Sequence, residues 1–153
     1  MNLFLDLENT IIKSVDEPVL IAENLPAIQK AVDSCQTLSI FSFAIHTEED
    51  SKKCEPILNL VKETFGKEFT VVHKDLLKPI LKSKFPWADD MDFMDLSNSK
   101  EEMFQLFCRS KFSDYEQDKF VLIDDMVENT CLSVKKESVI EIITLNISDI
   151  REL

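Results

Sequence analysis

The sequence places acidic side chains directly after two apolar runs, and these carboxyl groups are the first candidates for chemistry. Asp6 follows the run Asn2 to Leu5, and Asp124 and Asp125 follow the run Phe120 to Ile123. Carboxylates that meet at one place repel each other unless a cation joins them. Hard oxygen ligands without His or Cys suit Mg²⁺, and a carboxylate beside a bound Mg²⁺ can attack a phosphate ester. These residues therefore predict Mg²⁺-dependent phosphoryl transfer.

Such a site requires that the acidic segments meet, and the pattern of apolar runs predicts how they do so. Most of the five short apolar runs are continuous and do not alternate with polar residues, which is typical of strands buried on both faces of a parallel sheet. Helical patterns occupy the intervals, so we predict right-handed crossovers and an α/β fold, a three-layer α/β/α sandwich with a five-stranded, mainly parallel sheet. Ligands of such sheets bind at the carboxyl ends of the strands. The five runs are Asn2 to Leu5, Leu38 to Phe41, Phe69 to Val72, Phe120 to Ile123 and Val139 to Leu145.

Local signals predict the limits of the helices. One helix begins near Asn24, and a second runs from Thr47, which starts a capping-box-like Thr-Glu-Glu-Asp sequence, to Gly66. A third begins after Ser99. A short helix is predicted after Asp125, and the acidic pair before it could simply cap that helix.

Chain length, net charge and glycine content exclude or disfavour several classes of protein. The chain of 153 residues is long enough for one domain with its own core. Its net charge of −12 makes a nucleic-acid partner unlikely on electrostatic grounds. The single glycine, Gly66, excludes the glycine-rich phosphate loops of dinucleotide-binding and P-loop proteins.

The sequence shows no pattern typical of a membrane helix, a signal peptide or a cysteine-based metal site. No apolar stretch has the roughly 18 residues of a membrane helix, and the first residues carry no signal-peptide pattern, so we expect a cytoplasmic protein without a membrane segment. The four cysteines are far apart and form no Cys/His cluster. They predict neither a zinc site nor a disulfide framework.

Two motifs resemble signatures of the haloacid dehalogenase superfamily. Asp6-Leu7-Glu8-Asn9-Thr10, after the first strand, resembles the DxDxT motif. Asp124-Asp125-Met126-Val127-Glu128-Asn129, after a late strand, resembles the DDxxxN metal motif. All five predicted strands have a counterpart in that superfamily's Rossmann-like core, so the resemblance spans nearly the whole chain. It implies a Mg²⁺-dependent phosphatase that forms an aspartyl-phosphate.

The resemblance assigns roles to the residues of both motifs. Asp6 would be the nucleophile and a metal ligand, and Thr10 would hold it beside the bound phosphate. Asp125 would be a direct metal ligand, with Asp124 a second ligand or a helper. Glu8 would be the general acid/base and would give its backbone carbonyl to the metal. An Asp is usual at that position, although the enolase-phosphatase branch has a similar Asp-x-Glu-x-Thr motif.

The resemblance also implies a phosphate-binding hydroxyl after the second strand and a phosphate-binding lysine before the last catalytic strand. Ser42 and Thr47 compete for the first role. The length of the apolar run before Ser42 favours that residue, and Thr47 is better explained as a helix cap. Lys100 matches the second role because it opens the third helix, and Lys74 and Lys78 are the alternatives.

The predicted arrangement is a single domain over residues 1–153, with residues 74–99 as a helix and loop inserted over one sheet edge. That insertion is too short for a full cap domain, so the site would be open to a phosphorylated small molecule or a phosphoprotein. The alternative is a catalytically degenerate member that acts as a binding or regulatory partner, since Glu8 replaces the usual Asp. A response-regulator-like domain fits poorly, because its acidic pair would follow the first strand.

Overall fold

The computed structural model describes residues 1–84, 99–135 and 137–151 of the chain. These residues form an α/β fold around one six-stranded sheet, with the order β3-β2-β1-β4-β6-β5. The sheet is parallel except for β5, which runs antiparallel to β6. The predicted α/β class and mainly parallel sheet are confirmed. The strands are β1 Asn2–Leu5, β2 Thr37–Phe41, β3 Thr70–Val72, β4 Lys119–Asp124, β5 Thr130–Lys135 and β6 Val139–Asn146.

The strand count and the helix after Asp125 were predicted wrongly. The sheet has six strands instead of five, because Thr130–Lys135 forms β5 and pairs along its whole length with β6. A bend follows Asp125, and no helix starts there. Leu132 and Val134 of β5 pack against the core, while the alternating residues Cys131, Ser133 and Lys135 are exposed. The pair Asp124-Asp125 therefore has no helix to cap.

The helices lie between the strands as the predicted alternation requires. The region 47–66 holds two helices rather than one, with a break at Cys54, because Pro56 near the start of α3 cannot donate a backbone hydrogen bond. Gly66 ends α3 in the left-handed conformation, as predicted. None of the described helices has the length and apolarity needed to cross a bilayer. The helices are α1 Leu25–Ser34, α2 Glu48–Lys53, α3 Glu55–Phe65, α4 Leu77–Lys84, α5 Lys100–Lys111 and α6 Ile147–Ile150.

Thr47 forms a capping box at the start of α2, and replacing it should destabilise the protein. Its hydroxyl accepts a hydrogen bond from Asp50 N at 3.2 Å, and the Asp50 carboxylate accepts one from Thr47 N at 3.3 Å. We expect Thr47→Ala to lower the free energy of unfolding in urea by about 1 kcal/mol. Thr47→Ser keeps the hydroxyl and should stay close to wild type. Equal losses in the two variants would contradict the capping role.

Hydrophobic clusters cover the two faces of the sheet. On one face, Leu3 and Ile40 pack with Ile28 of α1 and Val61 of α3. On the other face, Phe4 lies at the centre of an aromatic cluster, with ring centroids 5.1 to 6.4 Å from its neighbours. This second cluster fixes α5 against the sheet through two of its phenylalanines. The aromatic neighbours of Phe4 are Phe41, Phe104, Phe107, Tyr115 and Phe120.

The predicted insertion over residues 74–99 is described only at its two ends. It begins with the short 3₁₀ turn Lys74–Leu76 and continues into α4, which packs against α5. Ser99 is the N-cap of α5. Residues 85–98 lie outside the described part of the chain.

Candidate active site

The two acidic segments meet because β1 and β4 are parallel neighbours in the sheet. Leu5 pairs with Ile123, and Asp6 N donates a hydrogen bond to Ile123 O at 3.1 Å, which extends the pairing beyond the end of β1. The side chains that follow the two strands consequently emerge at the same edge. One carboxylate oxygen each from Asp6, Asp124 and Asp125 lies within 4.8 Å of the others. The sequence prediction that these three residues converge is therefore confirmed.

Lys100 lies between two of these carboxylates. Its Nζ is 3.1 Å from Asp6 Oδ1 and forms an ion pair with Asp124 Oδ2, and its side chain is only 10% exposed. The ammonium also lies 4.8 Å from the centre of the Phe43 ring. A lysine in the first turn of a helix opposes the helix dipole, so these partners must hold it there. Burial lowers the pKa of Lys100, but the negative charges of Asp6 and Asp124 outweigh burial and raise it above its usual value.

The remaining charges of the cluster are only partly compensated. Burial raises the pKa of Asp6 to about 7, against the opposing effect of Lys100, and the charges of Asp124 and Asp125 add to the rise. Burial also raises the pKa of Asp125, and the neighbouring Asp124 raises it further. Among the described residues, the three carboxyl groups share one ammonium, so a further positive charge, or protons, must balance the site.

A tight turn follows β1 and holds the side chain of Asp6 in position. The turn is closed by a hydrogen bond from Ile11 N to Leu7 O at 2.9 Å, and Asn9 within it has a positive φ of 61°. Thr10 is fully buried, and its hydroxyl donates to Asp6 Oδ2 at 3.4 Å. Asn24 Nδ2 in turn donates to Thr10 O at 2.9 Å. Thr10 thus contacts the aspartate rather than the open side of the site.

Glu8 stands beside the cluster but is not part of it. Its Oε2 accepts a hydrogen bond at 3.0 Å from Val15 N, in the small hairpin that follows the turn. The side chain is partly exposed and lines the same cleft as Asp6. A donor role would require the carboxyl group to leave Val15 N and turn towards the substrate.

The loop after β4 is held by asparagines. Asp124 Oδ1 accepts from Met126 N at 2.8 Å. Asn146 Nδ2 donates to Asp125 O at 3.1 Å and to Val127 O at 2.9 Å. Asn129, the last residue of the second motif, accepts from Asn146 N at 2.8 Å. Asn146 is therefore a positioning residue for Asp125.

The structure distinguishes between the competing hydroxyls and lysines. Ser42 is buried, lines the cleft at the end of β2, and accepts a hydrogen bond from Ala44 N at 3.2 Å. Thr47 is engaged as the cap of α2. Lys100 lines the cleft, whereas the exposed Lys78 pairs with Asp75 at 3.1 Å. The side chain of Lys74 is outside the described part of the structure.

These residues surround a cleft of about 440 Å³. Five of the seven residues predicted from the sequence line it, while Thr10 and Asp124 are buried beneath. The five are Asp6, Glu8, Ser42, Lys100 and Asp125.

Comparison of the chain with protein-family models, curated proteins and solved structures finds no significant match.

The cleft also contains residues that sequence reasoning missed. Phe43, Glu101 and Met126 line it together with the predicted residues. Each directly follows a predicted site residue in the chain, and that adjacency was the available signal. Asn146 was missed as well, although it ends β6 at the same edge of the sheet.

Proposed function

We propose that this protein is a Mg²⁺-dependent phosphomonoesterase that acts through an aspartyl-phosphate on Asp6. The placement of Asp6 carries the proposal: it lies at a cleft with a buried lysine on one oxygen and two further aspartates alongside. The packing on both faces of the sheet supports a three-layer α/β/α sandwich of the haloacid dehalogenase type. The substrate would be a phosphorylated small molecule or a phosphoprotein in the cytoplasm.

The donor set fits a hard divalent cation. Asp6 and Asp125 would hold Mg²⁺, together with the backbone carbonyl of Glu8. Asp124 would support them, because both of its oxygens are already engaged, by Lys100 and by Met126 N. When bound, the ion would neutralise charge on the phosphate and on the aspartates.

The chain's own residues would carry the two chemical steps. In the first, an Asp6 carboxylate oxygen attacks phosphorus, the bond from phosphorus to the alcohol oxygen breaks, and Glu8 gives its proton to that oxygen. In the second, water attacks the aspartyl-phosphate, Glu8 takes the water proton, and inorganic phosphate leaves with Asp6 restored. Lys100 and the Ser42 hydroxyl, which both line the cleft, would bind the phosphoryl oxygens.

Hydrolysis of 4-nitrophenyl phosphate by the wild-type chain, with Mg²⁺ or with excess chelator, tests this function. We expect turnover with Mg²⁺ and loss of it with chelator. Turnover that persists in chelator would contradict the metal's role. Mg²⁺ binding without turnover would instead support the alternative, a catalytically inactive binding protein. The hydrogen bond that holds Glu8 on Val15 N is the observation favouring that alternative.

Asp125 provides a sharper test of the metal site. We expect Asp125→Asn to raise the Mg²⁺ concentration for half-maximal activity at least about tenfold, because a carboxylate ligand is lost. The matched control is Asp33→Asn, since Asp33 of α1 is exposed and bonds Gln29 rather than the cluster or the loop that supports it. An unchanged Mg²⁺ requirement in Asp125→Asn would refute its assignment as a ligand.

A further inference from the structure

Two carboxyl groups that line the cleft, those of Glu8 and Glu101, have no cationic partner among the described residues. Glu8 accepts from Val15 N at 3.0 Å, and Glu101 Oε1 accepts from Glu128 N at 2.6 Å. Among the described residues, neither forms an ion pair with a lysine or arginine. Both carboxyl groups are therefore held in place by the backbone, and no described lysine or arginine pairs with them.

The charges of the residues that line the cleft determine which substrates it favours. Lys100 is the one cation among the described residues that line the cleft, and it is already paired with Asp6 and Asp124. With Mg²⁺ bound, the ion and Lys100 would balance the three aspartates. Glu101 would then face a phosphate ester that brings negative charge of its own, whereas Glu8 carries the proton that it gives to the leaving oxygen in the proposed reaction. Glu101 has no part in the proposed reaction, so its charge acts on whatever the phosphate is attached to.

Apolar side chains line the same cleft as these carboxyl groups. Met126 lines the cleft with 77% of its surface exposed, and its backbone is fixed by the hydrogen bond to Asp124. Phe43 lines the cleft as well. A cleft lined by a thioether, an aromatic ring and a carboxylate is suited to an alkyl group that carries a positive charge.

We infer that the site selects phosphate esters whose alcohol part carries a positive charge beside a short apolar chain. Esters with additional negative charge, such as nucleotides and phosphorylated carboxylic acids, are disfavoured by Glu101. The inference rests on the proposed function for the location of the phosphate. The shared chemistry is that of an amino-alcohol phosphate or of a phosphoserine flanked by basic residues.

Calorimetric binding of non-hydrolysable phosphonates to the Mg²⁺-loaded wild-type chain tests the charge preference without turnover. The probes are 2-aminoethylphosphonate, ethylphosphonate and 2-carboxyethylphosphonate. We expect the cationic probe to bind at least about fivefold more tightly than the neutral one, and the anionic probe at least about fivefold more weakly. Equal or tighter binding of the neutral or anionic probe would overturn the inference, as would binding of none of them.

Two variants assign the preference to a residue. Glu101→Gln should reduce the preference for the cationic probe by half or more. Glu63→Gln, an exposed residue of α3, removes the same net charge at a distance and should keep the wild-type preference. An undiminished preference in Glu101→Gln would show that Glu101 is not responsible.

Hydrolysis then identifies the source of the charge. The first comparison is 2-aminoethyl phosphate against ethyl phosphate, and the second is a phosphoserine peptide flanked by arginines against one flanked by glutamates. A preference confined to the first pair supports a small cationic ester, and a preference in the second supports a basic phosphoprotein. If no ester is hydrolysed while the phosphonate preference holds, the proposed phosphatase function fails and cation-selective binding stands.

Discussion

Asp6→Asn is expected to lower kcat for 4-nitrophenyl phosphate by at least about a thousandfold, because an amide cannot serve as the attacking nucleophile. The fold should survive the change. Asn has nearly the same shape, and the substitution removes a buried carboxyl group whose pKa is raised to about 7 by burial and by neighbouring negative charges. We therefore expect a thermal midpoint equal to or above that of the wild type.

Steady-state kinetics and rapid acid quenching followed by mass spectrometry would check this result. The wild-type chain should carry a transient phosphate adduct on Asp6, and the variant should carry none. Asp33→Asn is the matched control, since Asp33 is exposed near the far end of α1 and bonds only Gln29 among the described side chains. Retention of more than about a tenth of the activity in Asp6→Asn would refute the proposed nucleophile.

Lys100→Met is expected to cost about 3 kcal/mol of folding free energy in the metal-free protein. Loss of the ammonium leaves Asp6 and Asp124 buried and facing each other without a counter-charge, which is the situation in which breaking a buried ion pair is most costly. Met keeps most of the side-chain volume beside Phe43, so a cavity adds little. The thermal midpoint should fall by roughly 10 °C.

Two further stability measurements, one with Mg²⁺ and one on a second lysine variant, distinguish this electrostatic effect from a packing defect. Saturating Mg²⁺ should restore part of the lost stability, because a divalent ion supplies the missing positive charge. Lys111→Met, in the last turn of the same helix, changes an exposed residue with a 3.9 Å contact to Asp114 and should shift stability by less than about 0.5 kcal/mol. A Lys100→Met protein as stable as wild type in chelator would show that the buried pair does not matter.

The sequence predicted the central strands of the sheet more reliably than the edge strand β5. Strands β1, β2 and β4 are buried on both faces, so their apolar runs are continuous and easily recognised. Strand β5 lies at the edge and is half-buried, and its Leu132 and Val134 alternate with polar or exposed residues. No glycine or proline separates it from β6. Without a turn signal, the segment after Asp125 was interpreted as a helix.

The same reasoning explains which parts of the site could be predicted. Asp6, Ser42 and Asp125 follow parallel strands directly, so the rule that ligands bind at carboxyl ends of strands was sufficient to find them. The alternatives between Ser42 and Thr47, and between Lys100 and Lys78, needed the directions of side chains. Those directions depend on the start of α2 and on the packing of α5, which a one-dimensional pattern does not contain.

The pairing of β1 with β4 also determines when the protein can acquire its site during synthesis. Asn2 pairs with Phe120, more than one hundred residues later in the chain. At about 5 to 20 residues per second, a ribosome would expose the apolar segment Asn2–Leu5 for several seconds before its central neighbour emerges. Asp6 is translated more than ninety residues before Lys100 and more than one hundred residues before Asp124, which are the groups it meets in the site. The nascent chain therefore depends on protection from aggregation until translation has passed β4.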